Sequence, residues 1–428
     1  MIKIVDDSHE VRMDFIERAS FLNDKKMQSQ VEEIITGVRE NGDEALIACT
    51  EKFDGVLLKN IAVKESILRA SFENMDELLR ISLEKAIVNI RAYHQQQVQN
   101  SSINYRQSEV VLGQLVNPIA AVGLYIPGGS AAYPSTILMN VIPAQIAGCK
   151  RIVLVSPPGP SGEIHEVVLA TAYMLGIREV YRVGGAQAIA ALTYGTKTIA
   201  KVDKICGPGN AYVALAKKMV SGIVGIDMIA GPSEVLIIAD KRAYPRFIAA
   251  DLIAQAEHDA NAATILLTSS KILAEAVNIE IKKQLPMRKR QEMIIPALTK
   301  NSVIIIVGDL DIACEVSNLI APEHLELAVV NPFDFLSKIH HAGSIFLGNY
   351  TPEVLGDYFA GPNHTLPTNG TARFSSALSV DDFIKKSSII YYSKKALAAA
   401  KQPVEIIAHA EGLDGHAYAM SVRFEEKE

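Results

Sequence analysis

A chain of 428 residues, nearly half of them hydrophobic, is too long for one ordinary core and has enough apolar side chains to fill two or more. Its 42 Lys and Arg are scattered among 48 Asp and Glu for a net charge of −6, which excludes the basic footprint of a nucleic-acid-binding protein. The start is charged from its third residue, no apolar run is long enough to cross a bilayer, and the four cysteines form no CxxC pair, so the expectation is a cytoplasmic globular protein with reduced thiols.

In chain order, a short N-terminal segment precedes a stretch from about Ser29 to Gln97 that reads as helical. Val31, Ile34, Ile35 and Val38 recur at helical spacing, Asn41-Gly42 marks a turn, and Glu65 to His94 continues the pattern. From Val110 the texture changes to short apolar runs separated by helical stretches. Ala120–Tyr125, Arg151–Ser156, Val180–Val183, Val235–Ala239, Thr264–Thr268, Val303–Val307 and Ser344–Leu347 read as buried strands. Pro143–Cys149, Ile164–Leu175 and Pro245–Ala256 read as helices between them. That alternation predicts an α/β fold with mostly parallel sheets. The last stretch, Val380 to Glu428, reads as helical, with pieces at Ala396–Ala400 and Pro403–Glu411. Too short for its own core, it must pack on its own body or on a partner subunit.

Several polar groups stand out against this background. Gln255 and His258, three apart near a predicted helix end, can face one ion, although a polar helix end explains them equally well. Glu323 and His324 follow Pro322, which stops the helical run Ile312–Ile320 before the strand-like Leu327–Val330. A carboxylate beside an imidazole at such a junction suits acid–base chemistry, and the plain alternative is a solvated loop. Asp357 and His364 lie in a Gly/Pro/Asn-rich stretch, and Glu411 and His416 lie in the C-terminal tail. Gln255, His258, Asp357 and His416 would form a nitrogen/oxygen ligand set suited to zinc or a similar divalent ion.

No GxGxxG follows a strand. Three other glycine-rich turns occur, Gly123 to Gly129, Gly184 to Gln187 and Gly207 to Asn210, and backbone amides in such turns can cradle a pyrophosphate. Singly, each is also an ordinary structural turn. Cys149 and Cys206 lie near these turns but lack a neighbouring base, so both read as buried free thiols.

The stretches VGLYIPGGSAAYPSTILMNVIPAQIAGC, VGGAQAIAAL, VDKICGPGNAYV, AGPSEVLIIAD, APEHLEL, GDYFAGPNHTLPT and AEGLDGHAYAMSVR carry a resemblance to the histidinol dehydrogenase family over essentially the whole chain. The resemblance implies zinc, one per subunit, on Gln255, His258, Asp357 and His416. It implies a catalytic pair on Glu323 and His324 and NAD contacts on Tyr125, Gln187 and Asn210. Substrate contacts fall on Ser233, His364 and Glu411, with His324 and the four zinc ligands also bordering the substrate.

By the same resemblance, two Rossmann-like units are expected: a discontinuous one over residues 21–124 and 234–378, and a second over 125–233 inserted in it. A segment over 1–20 would precede them, and a tail over 379–428 would pack on the partner of a homodimer with shared sites. The implied reaction oxidises L-histidinol through the aldehyde to L-histidine, with no nucleic acid or membrane involved. Rival readings are a zinc hydrolase using the same ligands, a metal- or nucleotide-binding regulatory module, and a relative that oxidises another amino alcohol.

Overall fold

Along the strand Glu234–Ala239 the side chains divide strictly by parity. Val235, Ile237 and Ala239 join one apolar cluster, and Leu236 and Ile238 join another. Residues two apart share a face of a strand, so a run that is apolar at every position must be covered on both faces. The neighbouring strand repeats the division, with Leu266 on one side and Ile265 and Leu267 on the other. Helices such as Pro245–Ala256, Lys271–Gln284 and Leu310–Ile320 supply the cover.

This first sheet has six strands, in the order Lys3–Asp6, Val303–Ile306, Ala263–Thr268, Glu234–Ala239, His324–Ala328 and Ser344–Leu347, all parallel. A second sheet has five parallel strands, ordered Glu179–Arg182, Arg151–Ser156, Ala121–Tyr125, Lys204–Cys206 and Gly225–Ile226. It too is covered on both faces, Val122 and Leu124 pointing into one cluster and Tyr125 into the other. The predicted α/β class with parallel sheets is the one observed.

The computed structural model describes residues 2–8, 11, 24–106, 109–128 and 132–425. They fall into two units. The first spans Met1–Gln97 and Ile119–Phe383 and contains both parallel sheets; the second spans Val98–Pro118 and Ile384–Glu428. In the second unit, Ile384–Tyr392, Val110–Pro118 and Ser102–Arg106 make an antiparallel sheet, followed by helices Lys394–Ala410 and Asp414–Ser421.

The strand Ala121–Tyr125 pairs with Arg151–Ser156 and Lys204–Cys206 and so belongs to the second sheet. Lys3–Asp6 pairs as an edge strand with Val303–Ile306, while most of the expected segment 1–20 lies outside the described residues. Two expectations about the tail need correction. Ile384–Tyr392, expected to be helical, is a nine-residue strand paired along its whole length with Val110–Pro118. Its isoleucines and tyrosines favour a strand, but Lys385, Lys386, Ser387 and Ser388 interrupt any visible alternation. Lastly, the two predicted tail helices are one, Lys394–Ala410, with Pro403 inside it.

Candidate active site

The helix Leu310–Ile320 ends on Ala321, whose φ of 53° places an alanine in the left-handed region and whose N–H closes on Ser317 O at 2.7 Å. Pro322 prevents the helix from continuing, and the chain turns straight into the strand His324–Ala328. The junction is clamped by Gly343 N and Ser344 N, which donate to Pro322 O and Glu323 O at 2.9 Å each. Glu323 and His324 are thus carried on rigid backbone at the start of a central strand. Both are buried.

Two hydrogen bonds from one residue orient the pair. Glu234 N donates to Glu323 Oε2 at 2.9 Å, and Glu234 O lies 3.0 Å from His324 Nδ1. Burial, reinforced by the nearby His258 and His364, pushes the His324 pKa down to about 3, so the ring is neutral at neutral pH. A neutral ring that donates from Nδ1 to the Glu234 carbonyl leaves a lone pair on Nε2. That nitrogen is buried without a hydrogen-bond partner, 3.8 Å from Asp357 Oδ1. It is a base waiting for a proton donor. Burial raises the Glu323 pKa well above the usual carboxylate range; the Glu234 N–H opposes the shift, and the charges of Glu234 and Asp357 add to it.

These groups open on a cavity of about 2120 Å³. One wall carries Ser233, His258, Glu323, His324, Asp357 and His364; the other carries Tyr125, Gln187 and Asn210. His364 is held by Asp357 O at 3.0 Å from its Nδ1 and by Thr136 Oγ1 at 3.4 Å from Nε2. Burial lowers its pKa to about 4.

A cluster with the chemistry of a cation site lies beside the pair. One donor atom each from His258, Glu353 and Asp357 fall within 4.8 Å of one another. His258 sits just past the end of the helix Pro245–Ala256 and is exposed, whereas Glu353 and Asp357 lie on the short helix Glu353–Tyr358 and are buried. Gln255, fully buried behind them, satisfies its neighbours when its amide nitrogen donates to Glu353 Oε2 and Oε1 at 3.0 and 2.6 Å and its oxygen accepts from Glu234 N at 2.8 Å.

Burial pushes the Asp357 pKa up to about 7 and that of Glu353 well above its usual range, the latter helped by Asp357, Glu326, Glu323 and Asp251. Carboxylates crowded in a low-dielectric site tend to take up protons or a cation. Hard oxygen donors beside an imidazole fit a divalent ion such as zinc.

The opposite wall is built from backbone. Gly185 opens the helix Gly185–Tyr194 at a φ of 62° and donates its N–H to Tyr125 Oη at 3.1 Å. Asn210 caps the helix Ala211–Val220, its Oδ1 accepting from Val213 N at 3.1 Å. Two helix N-termini behind glycine turns are suited to a pyrophosphate. Of the third glycine-rich stretch, Gly123 lies within the strand Ala121–Tyr125, and Gly129 lies outside the described residues.

A protein-family model described as histidinol dehydrogenase matches residues 17–424. The chain belongs to the histidinol dehydrogenase family. It is 52% identical over 400 residues to the histidinol dehydrogenase of Halalkalibacterium halodurans, covering 94% of each chain. It is 48% identical over 429 residues to that of Caldanaerobacter subterraneus subsp. tengcongensis, covering 99% of each. Among solved structures it is similar to histidinol dehydrogenase from Elizabethkingia anophelis, with a TM-score of 0.93 and 41% identity over 99% of this chain and 98% of that one.

Of the site residues expected from the family resemblance, Glu411 and His416 belong to the second unit, where both are exposed. Among the described residues, those that line the cavity belong to the first. Sequence reasoning missed Glu353, Glu326 and Glu234. Glu326 lies two residues beyond His324 on the same strand and accepts from Glu353 N at 2.8 Å. A charged residue inside an otherwise apolar strand was the signal available for it. Nothing in the local sequence marks Glu353, because only the fold carries it to Gln255.

Proposed function

We propose that this chain catalyses the NAD-linked, zinc-dependent oxidation of L-histidinol through L-histidinaldehyde to L-histidine. The observation that carries the reading is the orphaned Nε2 of a neutral His324, next to a carboxylate-rich cation site and across one cavity from glycine turns suited to a dinucleotide. Zinc would be held by Gln255, His258 and Asp357 together with His416 of a partner subunit, one ion per subunit.

A metal held there would supply a Lewis-acid anchor that fixes the substrate, and NAD on the opposite wall would supply the hydride acceptor for each oxidation. His324 Nε2 takes the hydroxyl proton in the first oxidation, while the Glu234 carbonyl holds the resulting imidazolium in place. Between the oxidations one water must add to the aldehyde. Glu323 takes a proton from that water and returns it to the aldehyde oxygen, giving the hydrate. His324, having released its first proton to solvent, then removes a hydroxyl proton from the hydrate as the second hydride leaves. Ser233, His364 and Glu411 would position the substrate, and Tyr125, Gln187 and Asn210 the cofactor. No thiol takes part.

The test is absorbance at the NADH band with L-histidinol, before and after chelation. Turnover lost on chelation and restored by zinc is expected; zinc-loaded protein that forms no NADH would return the reading to a hydrolase. The shared site has its own test, because a His416→Asn chain and a His258→Asn chain should each be inactive as homodimers. Subunit exchange between them should restore activity if each tail serves the partner, since one site then collects both defects and the other none. Persistent inactivity with exchange confirmed would leave each subunit with a self-contained site.

A further inference from the structure

The turn Gly207-Pro208-Gly209-Asn210 lines the cavity, yet what holds it lies behind the cavity wall. Gly207 N donates to Asp227 Oδ2 at 2.8 Å, and Lys217 Nζ donates to Gly207 O at 3.0 Å. Lys217 Nζ also pairs directly with Asp227 Oδ1. The lysine side chain is 2% exposed and the aspartate side chain 0%, and neither residue lines the cavity. One buried ion pair therefore grips both backbone polar groups of a single glycine.

The glycine is pressed against the strand that carries Tyr125. At a φ of 112°, a Cβ on Gly207 would lie 2.1 Å from Tyr125 O. Lys217 belongs to the helix Ala211–Val220, whose first turn Asn210 caps, so the lysine ties that helix back to the turn preceding it. Asp227 follows the edge strand Gly225–Ile226 and ties the same turn to the sheet.

Cohesion alone gives no reason for this arrangement. Burying two charges carries a desolvation cost that apolar side chains of similar volume avoid, and such replacements are often neutral or stabilising. What apolar side chains cannot do is fix the direction of one N–H and one C=O. We propose that Lys217 and Asp227 are positioning residues for the cofactor: they lock the Gly207–Asn210 turn against Tyr125 so that Asn210 and the turn's backbone meet a nicotinamide dinucleotide already in register. The proposal rests on the NAD reading given above.

The test uses the zinc-loaded full chain, with NADH as the probe in a fluorescence titration. Lys217→Met alone leaves a buried carboxylate without its cation and should lower the melting temperature. Combining it with Asp227→Asn removes both charges and keeps an oxygen acceptor for Gly207 N, so the melting temperature should recover.

Cofactor affinity should not recover with it. We expect NADH to bind roughly tenfold more weakly to the double variant, with KM for NAD raised to match, while kcat, zinc content and KM for L-histidinol stay near wild type. Wild-type NADH affinity in the double variant would overturn the proposal. So would a parallel rise in both KM values, whether or not the melting temperature recovers, because general loosening affects both ligands. If the wild-type chain binds no NADH at all, the dinucleotide reading itself fails, and this role falls with it.

Discussion

The two parallel sheets meet the cavity from opposite ends. The second sheet presents strand ends and the turns that follow them: Tyr125 closes one strand, and Gly207 to Asn210 follow another. That is the usual place for ligands in an open α/β sheet. The first sheet presents strand beginnings, with Ser233 just before one strand, Ala263 and Val303 opening two more and His324 opening a fourth. The materials differ as well. One wall offers backbone amides, an aromatic hydroxyl and side-chain amides, whereas the other offers imidazoles and buried carboxylates. Recognition of a phosphate-bearing cofactor can be left to backbone, which every sequence possesses. Proton transfer needs titratable side chains held at fixed angles, and the first sheet supplies them where Ala321 and Pro322 force a helix to become a strand. Substitutions on the first wall should therefore damage chemistry, and those on the second should damage cofactor binding.

The largest effect should come from His324→Asn. Both oxidations need a base at the carbinol oxygen, so each should slow by about a thousandfold, within the range general-base catalysis supplies. NADH formation measured separately from L-histidinol and from L-histidinaldehyde checks this, and a variant that keeps either half-reaction would break the assignment. Glu323→Gln sharpens the contrast within one wall. The first oxidation should survive nearly intact while the aldehyde-to-acid step falls by about a hundredfold, for want of a base to activate water. Equal losses in both steps would refute the division of labour.

Glu353→Gln should act one step further out. It leaves a neutral group against the Gln255 amide and removes a charge from the cluster around His258 and Asp357. Zinc affinity should fall by about ten- to a hundredfold, the range seen when residues behind metal ligands are changed. Competition with a chelator measures it directly, and excess zinc should restore most of the turnover. Unchanged affinity would place Glu353 outside the metal site.

The strands of both parallel sheets were largely legible because a strand covered on both faces carries an unbroken apolar run, as at 152–155 and 235–239. Short or solvated strands were not. Lys3–Asp6 and Lys204–Cys206 are too short to show a pattern, and Ile384–Tyr392 is solvated along much of its length. Glu323 and His324 were legible from Pro322, a local device. The residues around them depend on distance in space, which sequence spacing does not report. Glu234 is 90 positions from His324 yet sets its tautomer. The positioning roles of Lys217 and Asp227 are equally silent, since a lysine in a helix and an aspartate after a short strand are ordinary residues until the fold buries them together.

The smallest effect should come from the cysteines, and it tests whether the second wall contributes any chemistry at all. Oxidation of an aldehyde to an acid can run through a thiohemiacetal, and Cys206 precedes Gly207 directly. For that route a cysteine must be ionised and must reach the cavity. Cys206 fails both conditions: it is fully buried, does not line the cavity, and burial together with the Asp227 charge holds its thiol well above the ordinary range. Cys149 is half-buried, its pKa is pushed up to about 11 by burial, and its Sγ lies 3.6 Å from Phe383 O as a donor. Replacing both with Ala should lower stability, because Cys206 fills space in a packed core. Both half-reactions should nevertheless stay within roughly a factor of ten, equivalent to about 1.4 kcal/mol in the barrier. Rates from L-histidinol and L-histidinaldehyde, together with mass spectrometry of the protein during turnover, decide the point. A covalent aldehyde adduct on either thiol would move part of the chemistry onto the second wall and erase the contrast between the two sheets.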